Sequence, residues 1–152
     1  MLNSHLAKLL ATFFYVGYFP KAPGSMATVV GFLIYAYLGK QTFLYVLLFL
    51  IITALGFWAA DQMERVSGAK DPSCIVIDEI SGVMIAFFFL PLSWPVIITT
   101  FFLFRAFDMF KIYPVYKLET LKGGMGVMMD DIVAGIYTCV TMHIAVRLAG
   151  IV

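Results

Sequence analysis

From residue 43 to residue 60 the chain carries no charged side chain. A helix needs about 20 predominantly apolar residues to cross the hydrocarbon core of a bilayer, and this run approaches that length before its flanks are counted. A second run, residues 132–148, is broken only by His143 and Arg147. A third, residues 26–38, is shorter and must begin near Ser25 if it is to cross. Of the 152 residues, 62% are hydrophobic and 12% charged, whereas a soluble domain is about half apolar and a quarter charged. The expected fold class is all-α: a compact polytopic membrane helix bundle in a single domain over residues 1–152. It should have about five membrane helices, some short and Pro/Gly-interrupted, plus an N-terminal interfacial helix.

Several function classes fall away. The net charge is +1, so no broad basic surface points to nucleic acid. Cys74 and Cys139 lie in unlike contexts and give no disulfide framework. Cys74 also lacks the downstream arginine of a thiolate phosphatase loop. The N-terminal stretch has no clear small-x-small cleavage site, so no removable signal peptide is expected. No internal repeat or low-complexity tract is visible.

Taken in order, Leu6, Leu9, Leu10, Phe13 and Phe14 recur at helical spacing. GYFPKAPGS, residues 17–25, then reads as a fixed non-helical loop. It is either a simple connector or a phosphate site built from backbone N–H groups and Lys21. GKQT between the next two apolar runs fits a tight helical hairpin. Asp61, Glu64 and Arg65 share one helical face and read as a solvated helix end with a local ion pair. Asp78-Glu79 stands directly before a further apolar run.

Residues 80–104 admit two readings: one kinked span, or two short helices, roughly 74–90 and 93–109, turning at PLSWP. Pro91 and Pro95 favour the turn, with Ser93 as a cap. Charge favours it too. Arg65 and Lys70 precede the segment, and Arg105, Lys111, Lys117 and Lys122 follow it. Placing both groups in the cytoplasm requires an even number of crossings between them. With the hairpin, Lys40 and Ser93 lie outside.

That topology gathers Asp78, Glu79, Asp108, Asp130 and Asp131 at one membrane face, with Lys21, Arg65, Lys70, Arg105 and Lys111. Asp61 and Asp71 fall in the same layer. Asp130-Asp131, in LKGGMGVMMDDIVAG (121–135), sits where the last helix is expected to begin. One carboxylate there is ordinary capping, whereas two side by side repel unless a cation separates them or one is protonated. Oxygen ligands without matching His or Cys suit Mg²⁺ or another hard cation rather than zinc. Interleaved cations suit a phosphate-bearing substrate, and at this depth a lipid headgroup could reach the layer. The residues thus point to metal-dependent phosphoryl chemistry without choosing hydrolysis over transfer. A cation-coupled transporter is a rival, though it should show acidic residues at mid-membrane and some duplication. A scaffold whose charges only set topology is another.

Four segments, GYFPKAPGS, DPSCIVIDEISG, FRAFDMFKIYPV and GGMGVMMDDIVAG, together resemble the phosphatidylglycerophosphatase A family. The resemblance covers about a third of the chain, and the last segment is its most specific part. Two departures are Ile112, where the family usually has proline, and Ser25 followed by Ala27-Thr28 in the first loop. The resemblance implies a multi-pass enzyme of the bacterial cytoplasmic membrane, with its active site facing the cytosol. It would use Mg²⁺ to convert phosphatidylglycerophosphate, its phospholipid substrate, to phosphatidylglycerol. Asp78, Glu79, Asp108, Asp130 and Asp131 would then be the catalytic and metal-holding carboxylates. Arg105, Lys111, Lys21, Ser25, Gly123 and Gly124 would take the substrate phosphate or headgroup.

Overall fold

The computed structural model describes residues 2–110, 113, 115–118 and 120–151. Among them the chain forms seven α-helices and no strand: α1 Leu2–Ala11, α2 Pro23–Leu38, α3 Thr42–Ser67, α4 Ile77–Ala86, α5 Trp94–Phe110, α6 Val115–Leu118 and α7 Gly124–Leu148. A short 3-10 turn spans Val16–Tyr18.

Helix α4 is the hub. Every residue in it except Glu79 is buried, and α2, α3, α5 and α7 all pack on it. Its neighbours can come this close because the contact points lack side chains. A Cβ on Gly135 would overlap the carbonyl oxygen of Gly82, and one on Gly82 would fall 2.5 Å from that of Asp131. Further along, Cys139 Sγ lies 3.8 Å from the Phe88 carbonyl. Moving forward on α4 therefore moves forward on α7, so the two helices run parallel with backbones in contact. Gly31 on α2 likewise admits Val83. This is close small-residue packing of the kind apolar helices use where lipid offers no hydrophobic drive.

The 80–104 segment is the hairpin that its prolines predict. Helix α4 ends at Ala86, and α5 begins at Trp94 with the Ile97 N–H donating to the Ser93 carbonyl at 2.9 Å. Tyr35 Oη donates to the Leu90 carbonyl, and Tyr45 Oη to that of Met84 at 2.8 Å, so the hairpin's far end is tied to α2 and α3.

Three boundaries differ from the sequence-based expectation. Pro23, Gly24 and Ser25 are not loop but the first turn of α2; proline's fixed φ suits the first helical position. Helix α1 stops at Ala11, and its buried face is Ala7 and Ala11 rather than the leucine stripe, with Leu6 left exposed. Phe13 and Phe14, expected to continue the helix, have φ of 41° and 55°. Helix α7 starts at Gly124, well before residue 132, so Asp130 and Asp131 lie in its second turn and cap nothing. The reason is tertiary: Gly124 sits where a Cβ would overlap the Phe57 carbonyl, and packing on α3 draws the glycine stretch into the helix.

Helices α3 and α7, of 26 and 25 residues, are long and apolar enough to cross a membrane. Only 28% and 33% of their apolar windows are buried, which is not the pattern of a soluble core helix. Leu44, Leu47, Leu50, Ile51 and Leu55 on α3, and Ile136, Val140, Ile144 and Leu148 on α7, are exposed. Helix α2 has 16 residues, α4 10 and α5 17. At 1.5 Å per residue, α4 reaches about 15 Å, half the hydrocarbon thickness. The helix lengths alone thus establish two crossing-length helices, not five.

Candidate active site

The parallel crossing of α4 and α7 sets the site. Asp78 lies four residues before Gly82, and Asp131 four before Gly135. Four residues is about one helical turn, so joining the two glycines places both carboxylates one turn toward the same end. There a cavity of about 380 Å³ opens, a size typical of small-ligand pockets. Its walls come from five parts of the chain. Lys21, Ala22 and the first turn of α2 form one side, and Asp71, Ser73 and Ile75 another. Asp78 and Glu79 of α4, Arg105 and Asp108 of α5, and Asp130 and Asp131 of α7 complete it.

Inside the cavity, charge is closely packed. Asp78, Asp130 and Asp131 are only 7%, 6% and 4% exposed. Arg105 Nη1 donates to Glu79 Oε1 and to Asp108 Oδ2, each at 2.9 Å. The guanidinium is thereby held between α4 and its own helix α5. Asp78 Oδ1, Glu79 Oε2 and Asp131 Oδ1 are buried without a hydrogen-bond partner. A buried carboxylate oxygen left this way carries a desolvation cost of several kcal/mol, of order ~3. Such costs mark a ligand site rather than a packing solution.

Two loop residues at the rim hold strained backbone. Lys21 has φ 115° and Asp71 φ 44°, conformations that cost a non-glycine residue about 1–3 kcal/mol. The 71–75 loop is pinned at both ends. The Asp71 N–H donates to Glu64 Oε1 at 2.8 Å, and the Val76 N–H to the Ala11 carbonyl at 3.0 Å. Gly17 lies directly beneath the Cys74 carbonyl, where a side chain would overlap it.

Of the residues singled out from sequence, Asp78, Glu79, Asp108, Asp130, Asp131, Arg105, Lys21 and Ser25 line this cavity. Lys111 lies outside the described residues. Gly123 and Gly124 are placed elsewhere, packed on Asp61 and on the Phe57 carbonyl beside separate surface hollows. Asp61 and Arg65 form the helix-end ion pair at 3.0 Å, away from the cavity. Asp71 does reach it, together with Ser73, whose hydroxyl nothing in the sequence marked. His143 stands apart, its Nδ1 2.9 Å from the Cys139 carbonyl.

The donors fit a hard divalent cation in kind: all are oxygens, and three buried carboxylate oxygens lack partners. Among the described residues, however, no three Asp, Glu, His or Cys side chains are already grouped closely enough to hold an ion. The carboxylates share a chamber but are not a preassembled cage. Mg²⁺ usually keeps several waters and takes only one or two protein carboxylates, so a loose acidic chamber is compatible with it.

Comparison with known proteins places the chain in a family. The model of the family described as Phosphatidylglycerophosphatase A matches residues 9–146. A Bacteroides thetaiotaomicron protein, provisionally named a phosphatidylinositol-3-phosphatase, is 38% identical over 93% of this chain and 94% of its own. The Haemophilus influenzae phosphatidylglycerophosphatase A is 37% identical over 88% of this chain and 85% of its own. The Escherichia coli phosphatidylglycerophosphatase A is 35% identical over 84% and 76%. No solved structure matches. With its family model spanning nearly the whole length and every wall of the cavity, the chain belongs to the phosphatidylglycerophosphatase A family.

Proposed function

We propose that this chain is a membrane-embedded lipid phosphatase that hydrolyses phosphatidylglycerophosphate to phosphatidylglycerol and inorganic phosphate. The observation that carries the reading is a chamber shared by carboxylates from α4, α5 and α7, with Arg105 clamped at its wall, in a chain of this family. Water adds to phosphorus, the P–O bond to the glycerol breaks, and the alcohol leaves with a proton.

Asp78 Oδ1 and Asp131 Oδ1, free of hydrogen-bond partners, are the acceptors able to orient the water and take its proton. Arg105, immobilised by Glu79 and Asp108, offers its remaining N–H groups to the phosphate oxygens as charge redistributes. Lys21 adds a cation at the rim. Asp78, Asp130 and Asp131 are the residues that would hold Mg²⁺. When bound, the ion would supply Lewis-acid polarisation and a more acidic water. Glu79 Oε2 faces the same chamber and can join them. The five-crossing bundle with the chamber at the cytoplasmic face of a bacterial inner membrane remains part of this proposal. It is supported by the exposed apolar faces of α3 and α7 and by the positive-inside charge pattern.

The name of the Bacteroides relative favours a second reading, in which the same chemistry acts on a phosphorylated inositol lipid. Purified protein in detergent, given each lipid in parallel with Mg²⁺ or with EDTA, separates the two. Phosphate release from phosphatidylglycerophosphate, abolished by EDTA, is expected. Release from the inositol lipid alone would transfer the assignment to the second reading, and release unaffected by EDTA would remove the metal.

A further inference from the structure

We propose that Gly24 is a positioning residue, and that its missing side chain is what seats Glu79 against Arg105. The proposal rests on the phosphatase reading for its kinetic consequence, but its geometry stands apart from it. Gly24 lies in the first turn of α2. Its backbone does not need glycine, since φ is positive only at Gly68, Gly123 and Gly150 among the described glycines. Alanine is the better helix former, so on local grounds glycine here is the poorer choice. What requires glycine is space. A Cβ built on Gly24 would overlap Glu79 Oε1, and would lie 2.6 Å from Cδ and 2.8 Å from Oε2.

Glu79 Oε1 is the oxygen that receives the Arg105 Nη1 hydrogen bond at 2.9 Å. The start of α2 therefore forms a floor on which this carboxylate rests, with one oxygen on Arg105 and the other, Oε2, buried and unpartnered. Gly82, Gly124 and Gly135 differ, because a side chain there would strike backbone and push helices apart. At Gly24 it would strike the far end of a flexible side chain. An added methyl is thus accommodated by moving Glu79, with the fold left intact. Arg105 would then keep Asp108 but lose its anchor on α4, and a guanidinium held from one side no longer has a fixed aim.

The test uses the full chain purified in detergent, as wild type, Gly24→Ala, Glu79→Asp and the double variant. Arginine modification by phenylglyoxal, read at each arginine by peptide mass spectrometry, reports on Arg105 without reference to catalysis. Arg147, at the far end of α7, is the internal reference. Gly24→Ala is expected to leave the thermal midpoint within about 2 °C of wild type. It should raise Arg105 reactivity several-fold and leave Arg147 unchanged. It should also lower kcat/KM about tenfold, mainly through kcat. In the Glu79→Asp background the shorter acid has already withdrawn from Gly24, so the same substitution should change either readout less than about twofold. Unchanged Arg105 reactivity in Gly24→Ala, or equal effects in both backgrounds, would overturn the proposal. Wild-type protein that releases no lipid phosphate would speak against the phosphatase reading, while the labelling still decides the role of Gly24.

Discussion

Asp131 is nearly sealed from solvent, has a carboxylate oxygen without a partner, and shares its chamber with five other carboxylates. Without a cation among them, such groups repel one another, and Arg105 is already shared by Glu79 and Asp108. On the proposed reading, function is kept here at the expense of stability. Replacing Asp131 by its isosteric amide removes one charge and supplies two N–H donors to neighbouring oxygens. In EDTA, Asp131→Asn should therefore raise the thermal midpoint by about 2–4 °C, the shift that roughly 1 kcal/mol gives a chain of this length. Differential scanning fluorimetry in detergent measures it, and a lower midpoint would show that the carboxylate is structurally satisfied. At this scale the sequence was informative, because charge in an apolar chain is expensive enough to announce itself. Asp78, Glu79, Arg105, Asp108, Asp130 and Asp131 could all be picked out that way. Gly24 could not, because no local pattern shows that a methyl group there would meet a glutamate fifty-five residues away.

The elements bring these residues together through the α4–α7 crossing. A methyl group on Gly135 would overlap the Gly82 carbonyl and lie 2.9 Å from its carbon. Neither backbone can rotate away as a side chain could. Gly135→Ala should destabilise the protein by about 1–3 kcal/mol and reduce activity with it, because Asp78 and Asp131 would no longer be held across the contact. Thermal unfolding of the variant checks this, and an unchanged midpoint would mean that the helices do not meet there. Element boundaries were less legible than residue types. GGMG looks like a turn by composition, yet Gly124 and Gly126 are helical because α7 must approach the Phe57 carbonyl. PLSWP was legible, because proline acts through its own backbone and needs no partner to break a helix.

For the whole molecule, α2, α4 and α7 begin at the cavity and α5 ends there, so the 39–41 and 87–93 connections lie at the opposite end. Single cysteines placed at Lys40 and Ser93 should be labelled by a membrane-impermeant maleimide from outside intact cells, whereas one at Lys70 should react only after permeabilisation. Labelling of Lys70→Cys in intact cells would invert the orientation. The number of crossings was hard to judge from sequence because α4, with 10 residues, is wrapped by the helices around it. Its apolar content therefore reflects a core, not a membrane length. The account depends most on one chamber performing the reaction with carboxylates from both α4 and α7. Phosphate release from phosphatidylglycerophosphate by purified Asp78→Asn and Asp131→Asn proteins, with Mg²⁺ present and folding verified, tests it most directly. The prediction is a loss of at least about a hundredfold in kcat for each; near-wild-type turnover in both would contradict it.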